Sequence, residues 1–104
     1  MEDFLNDLAG KKPQDASRIR GVLQLAAGIG PQGIRNKEKV RKVTGELWEF
    51  KAYQVRVLWA YGPNEGSRRT CLLLTGIVKK QTKHKQSDIE RATALLADYR
   101  SHTA

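Results

Sequence analysis

The chain has 104 residues, of which 39% are hydrophobic and 29% are charged, and this predicts one globular domain spanning residues 1–104. Nineteen Lys and Arg residues against eleven Asp and Glu residues give a net charge of +8, which favours a polyanionic partner. No apolar run approaches the roughly 20 residues that a membrane span requires, so we expect no membrane partner.

Two short helices are predicted at the start of the chain. Residues 2–9 place apolar side chains at helical spacing, and Gly10 ends this helix. Residues 14–28 predict a second helix, which the Gly and Pro residues of segment 28–31 end. We expect the two helices to form a hairpin that packs on an apolar surface. The acidic N-terminal sequence MEDFLNDLAG carries no targeting signal, which favours a cytoplasmic protein.

Three strands are predicted next. Residues 46–51 and 54–61 alternate in polarity, whereas residues 70–78 are apolar almost throughout, as in a central strand. The sequence GPNEGS at 62–67 predicts the hairpin turn between the last two strands. Cys71 is the only cysteine and is expected to be an inert core residue, so no intramolecular disulfide can form, which fits a reducing cytoplasm.

The second predicted strand has one apolar face, formed by Val55, Val57 and Trp59. We expect this face to pack on the helices, because neither apolar surface is stable in contact with water. Arg56 projects from the reverse face and is expected on the open side of the sheet. It either forms a cationic site with Lys51 of the adjacent strand, or it is a surface arginine paired with Glu46 or Glu49.

The sequence from Ser87 to Glu90 is a capping box and predicts a final helix over residues 87–100. The elements therefore follow the order of two helices, three strands and one helix. This order predicts an α+β fold, in which an N-terminal helical hairpin packs on a small antiparallel sheet and a C-terminal helix follows. We expect the helices to lie on one face of the sheet.

Basic residues are concentrated in two segments. Six cations and no acid lie between Glu65 and Asp88, a net charge of +6, and five cations accompany one acid in residues 35–42, a net charge of +4. His84 lies among lysines, so repulsion between like charges should keep it neutral, although an idle exposed histidine is the alternative. The lysines of the first segment either form a solvated loop or face an anion: Lys79, Lys80, Lys83 and Lys85.

Several common site chemistries find no support in the sequence. His84 and His102 have no metal-ligand spacing, and Cys71 has no partner cysteine. No phosphate-binding glycine loop and no serine-nucleophile arrangement is present. We therefore expect neither a metal nor a cofactor.

Three stretches carry a resemblance to a known family: GELWEFK at 45–51, VRVLWAY at 55–61 and LLLTGIVKKQTKHKQSDIERA at 72–92. Together they resemble the RelE/HigB-like toxins of bacterial toxin–antitoxin modules, in particular the phage-derived HigB-like branch. The resemblance covers nearly the whole chain and implies a RelE/ParE-like fold. It also implies mRNA cleavage on the ribosome by attack of the RNA 2′-hydroxyl, translation inhibition and growth arrest, and control by a cognate antitoxin, a helix-turn-helix protein of HigA type.

The resemblance also assigns roles to individual residues. Arg56 matches the arginine that contacts the scissile phosphate, and Lys51 matches a basic residue of the second-strand motif. The remaining catalytic candidates are Lys80, from the basic pair after the last strand, and His84, the nearest candidate where some members carry a tyrosine. The expected RNA-binding residues are Lys79, Lys83, Lys85, Arg35 and Lys37.

The chain departs from this family in two further respects. Glu49 occupies a position where RelE-type toxins often carry a lysine. The chain also begins directly at a helix where the family begins with a strand, so either the sheet lacks an edge strand or the true start lies upstream. Two other functions stay open: a non-catalytic ParE-like toxin and a basic RNA-binding protein.

Overall fold

The computed structural model describes residues 1–35, 39–65, 68–78 and 85–103. Within them, two α-helices and a short 3-10 turn precede an antiparallel sheet of four strands in sequential order, and a third helix follows. The predicted α+β fold is confirmed. The elements are α1 (Glu2–Lys11), α2 (Pro13–Ile29), the turn at Pro31–Gly33, β1 (Val40–Thr44), β2 (Leu47–Ala52), β3 (Val55–Glu65), β4 (Arg68–Val78) and α3 (Gln86–Thr103).

The edge strand β1 is the element that the sequence did not predict. Its apolar residues, Val40 and Val43, are three positions apart and contact opposite clusters, and its register against β2 shifts between Lys42 and Thr44. An alternation of period two is therefore broken, and the segment resembles a basic loop. The turn predicted at 62–67 is wrong for residues 62–65, since β3 continues to Glu65 with an irregularity in its pairing after Tyr61.

The helical hairpin covers one face of the sheet, as expected. Val55, Val57 and Trp59 point to this face and are fully buried. Burying one such side chain contributes roughly 1.5–3 kcal/mol. The residues of α1 and α2 that contact this face are apolar: Leu5, Leu8, Ala16, Ile19, Val22 and Ala26.

Aromatic rings hold β2 and β3 together on this same face. Trp59 stacks on Phe50 with ring centroids 4.7 Å apart, and on Trp48 at 5.7 Å. Tyr61 meets the edge of both tryptophans. Each such pair contributes about 0.5–1.5 kcal/mol beyond the area that it buries, so the register of β2 against β3 is strongly determined.

Helix α3 packs on the opposite face, so the expectation that all helices share one face is wrong. Leu47 and Leu58 point away from the hairpin and form a second apolar cluster with Ala92 of α3. Arg100 also binds Glu46, in the β1–β2 turn, through two hydrogen bonds of 2.6 and 2.7 Å. The sheet is therefore covered on both faces, because β2 and β3 carry apolar residues of both parities.

We predict that Gly76→Ala lowers the free energy of unfolding by about 1–3 kcal/mol. A Cβ at this position would overlap the ring of Phe4, which lies directly over the backbone of β4. The loss should shrink in a Phe4→Ala background, where no ring blocks the Cβ. Gly10→Ala is the matched control because its Cβ meets open space. Urea denaturation of the four variants measures these effects, and a Gly76→Ala protein as stable as wild type would contradict the contact.

We also predict a pH dependence for the link between Glu46 and Arg100. Hydrogen bonds from Arg100 lower the pKa of Glu46, so this interaction stabilises the fold above the ordinary glutamate pKa of about 4.3 and is lost as the pH falls through the lowered value. The difference in melting temperature between wild type and Glu46→Gln should therefore be full at neutral pH and vanish in acid. Glu90→Gln, at an exposed position of α3, should show no such trend.

Candidate functional site

The strand register brings four charged residues together on the face opposite the helical hairpin. Lys51 of β2 pairs directly with Arg56 of β3, and Arg41 of β1 pairs with Glu49 of β2. Glu49 and Lys51 are two positions apart and so share a face. These four residues, here called the charged cluster, comprise three cations and one acid, with a net charge of +2.

Arg56 is buried, and the expectation that it lies on the open side of the sheet is wrong. Its exposed fraction is 7% and that of Glu49 is 5%. The guanidinium Nε lies 3.7 Å from Glu49 Oε2. Of the two acids considered as its partner, Glu49 is therefore the one that pairs, while Glu46 binds Arg100.

The guanidinium of Arg56 also holds the β2–β3 turn. Its Nη1 donates hydrogen bonds to the carbonyl oxygens of Tyr53 and Val55, the second at 3.1 Å. Tyr53 has a backbone φ of 55°, an uncommon conformation for a bulky residue. Arg56 thus binds the backbone of the two-residue turn between β2 and β3.

Burial leaves part of the guanidinium unsatisfied. Desolvation lowers the pKa of Arg56, the Glu49 carboxylate raises it, and the nearby positive charge of Arg41 lowers it. The side chain stays charged at neutral pH because an arginine pKa normally exceeds about 12. Within the described residues its Nε has no hydrogen-bond acceptor. A buried cation with an unused donor and two further cations beside it is an arrangement suited to binding an oxyanion such as phosphate.

Of the seven other predicted site residues, the structure describes two. Lys85 and Arg35 are described and exposed, and nothing in the structure brings them to the charged cluster. Strand β4 ends at Val78, which pairs with Val55 beside Arg56, so the chain leaves β4 at the same end of the sheet. The remaining predicted residues lie outside the described ranges: Lys37, Lys79, Lys80, Lys83 and His84.

Two members of the charged cluster were not predicted as part of a site. Glu49 was considered only as a surface partner, although its spacing of two from Lys51 already places both on one face. Arg41 lies in β1, which the sequence pattern did not reveal.

In the described part of the chain, no group of three or more His, Cys, Asp or Glu residues is placed to hold a metal ion. None of the described helices has the length and apolar composition that a membrane crossing requires.

We predict that Arg56→Met and Glu49→Leu each destabilise the fold by about 3–5 kcal/mol, because each leaves an uncompensated charge in the interior. The double variant should lose far less than the sum, since both charges are then absent. Asp7→Ala serves as the control: its ion pair with Lys11 is exposed, so the loss should stay under about 1 kcal/mol. Denaturant unfolding measures the cycle, and losses that simply add would contradict a coupled pair.

The chain matches a protein-family model described as phage-derived protein Gp49-like (DUF891), over residues 6–97. No curated protein matches the sequence. The Gp49-like family is a toxin-like family, which supports a toxin–antitoxin role at a coarse level and implies an antitoxin partner in general. Since the match spans most of the chain, the protein belongs to the Gp49-like family of phage-derived proteins, within the RelE/HigB-like toxins.

Proposed function

We propose that this protein is the toxin of a toxin–antitoxin pair and that it cleaves mRNA on the ribosome, which inhibits translation. The observation that carries the proposal is the buried guanidinium of Arg56, with an unused Nε donor and with Arg41 and Lys51 beside it. A phosphodiester that displaces Glu49 from Arg56 would receive a directed donor and two further positive charges. Such preorganised donors are often the largest single contribution to catalysis of this kind.

Cleavage by the RNA 2′-hydroxyl requires that a proton leaves this hydroxyl and that another reaches the departing 5′-oxygen. Glu49 is the carboxylate of the charged cluster. Once the phosphate has displaced Glu49 from Arg56, this carboxylate can accept the proton of the 2′-hydroxyl. Lys80 and His84 remain the proposed donors for the leaving oxygen, on the strength of the sequence resemblance alone. The reaction forms a 2′,3′-cyclic phosphate and needs neither metal nor cofactor, because both proton transfers use side chains.

One observation favours the non-catalytic alternative. Arg56 already pairs with Glu49 and binds two backbone carbonyls, and these contacts alone account for a purely structural arginine. A ParE-like toxin that acts by binding a target would need nothing more from this residue. An assay of RNA cleavage separates this alternative from the nuclease.

We predict that Arg56→Lys and Lys51→Gln each reduce mRNA cleavage on the order of 10²-fold. Lysine keeps the charge beside Glu49 but lacks the planar fork that binds two phosphate oxygens. Lys51 is only half-buried, so its replacement should leave the melting temperature close to that of wild type. Lys11→Gln is the matched control, because it removes one positive charge at an exposed position of α1.

Primer extension on mRNA after induction measures cleavage, and growth curves of the same cultures measure toxicity. Growth arrest by wild type without new mRNA ends would contradict the nuclease and support the binding toxin. Undiminished cleavage by a folded Arg56→Lys protein would contradict the phosphate-binding role of Arg56.

A further inference from the structure

A groove of about 750 Å³ lies between helix α2 and the β2–β3 turn. This volume is within the range of roughly 300–1,000 Å³ that is common for binding pockets. Its lining comes from three parts of the chain: helix α2, the residue before β1, and the end of β2 with the turn that follows. The residues that line it are Arg18, Gly21, Val22, Leu25, Lys39, Lys51, Ala52 and Tyr53.

The groove combines exposed apolar surface with positive charge. Leu25 is 40% exposed and Tyr53 is 64% exposed, although both are large and apolar or aromatic. Ile29, one turn further along α2, is exposed as well. Three of the lining residues are cations and none is an acid, and the carboxylate of Asp15 lies 3.9 Å from the guanidinium of Arg18.

Tyr53 is held in place before any partner arrives. The Arg18 guanidinium lies over its ring, 4.0 Å from the ring centroid. Its carbonyl accepts a hydrogen bond from Arg56. An aromatic side chain that is exposed but already fixed in position loses little entropy on binding, which is a property of residues that dominate protein interfaces.

We propose that this groove is the docking site for an acidic, amphipathic segment of the antitoxin. The apolar side chains of such a segment would contact Leu25 and Tyr53, and its carboxylates would meet Arg18 and Lys39, the lining cations outside the charged cluster. RNA would use the cations but would leave the exposed leucine without an apolar contact, so a protein segment fits the lining better. The inference rests on the toxin–antitoxin role, which supplies the partner.

Gly21 offers a direct test. It lines the groove on α2, and a Cβ at this position meets open space, so Gly21→Glu adds a negative charge at the groove and its Cβ causes no clash. The change also removes a helix-destabilising glycine. Gly10→Glu is the matched control, because Gly10 lies on α1 outside the groove and its Cβ is equally unobstructed.

The experiment takes the product of the gene adjacent to the toxin gene as the candidate antitoxin. It measures the affinity of this protein for wild type and both variants by calorimetry, and the on-rate by stopped-flow fluorescence. Gly21→Glu should weaken binding at least about tenfold, Gly10→Glu should leave it unchanged, and the wild-type on-rate should fall as salt rises from about 0.05 to 0.3 M. Equal affinity of Gly21→Glu and wild type would overturn the proposal, as would the absence of any antitoxin binding.

Two further arms separate the outcomes. A labelled oligouridylate tests the groove as an RNA surface: if Gly21→Glu weakens only this probe, the antitoxin proposal is wrong. Growth curves test toxicity separately, and the Gly21→Glu protein should still arrest growth but no longer be neutralised by the co-expressed antitoxin. A wild type that binds the antitoxin through the groove yet arrests no growth would contradict the proposed toxin function and leave the docking site standing.

Discussion

Strand β3 places the guanidinium of Arg56 within a deeply buried part of the fold. The six residues from Val55 to Ala60 are all buried, and Arg56 is the one charged residue among them. Removing such a charge from water costs several kcal/mol, so it must have partners close by. The strand register meets this requirement by placing Glu49 on the same face as Arg56. The two-residue turn adds the Tyr53 carbonyl, which accepts a hydrogen bond from Arg56.

This ion pair is not needed for stability as such. Replacing a buried pair by apolar side chains of similar volume is often neutral or even stabilising, by about 1–4 kcal/mol. The neighbouring residues of β3 show that apolar side chains are well accommodated here, since Val57 and Leu58 are fully buried on either face. Stability alone therefore does not require the pair. In the proposed function, Arg56 would also bind a phosphate, beside the charges of Arg41 and Lys51.

The sequence predicted the parts of the fold that depend on local pattern. The alternation in β3 was sufficient to identify the face that packs on the helical hairpin, because side chains two positions apart in a strand point to the same face of the sheet. β1 was not predicted because a bulge breaks its alternation, and the burial of Arg56 was not predicted because the opposite face looked polar. The burial of this face depends on tertiary packing, in particular on which side of the sheet α3 packs. No local sequence pattern specifies that side. The predicted residues from Lys79 to His84 lie outside the described ranges, so their part in the site stays a prediction.

Tyr53 connects the charged cluster to the groove. Its carbonyl accepts the hydrogen bond from Arg56, and its ring lies under Arg18 of α2. A positive φ costs a residue of this kind of order 1–3 kcal/mol, and the contacts with Arg56 and Arg18 help to hold the turn in this shape. A partner bound in the groove would contact both Tyr53 and Lys51, and it would thereby act on the turn that orients Arg56. Inhibition of the toxin would then not require the partner to cover the charged cluster, because Arg56 is held in part by the backbone of this turn.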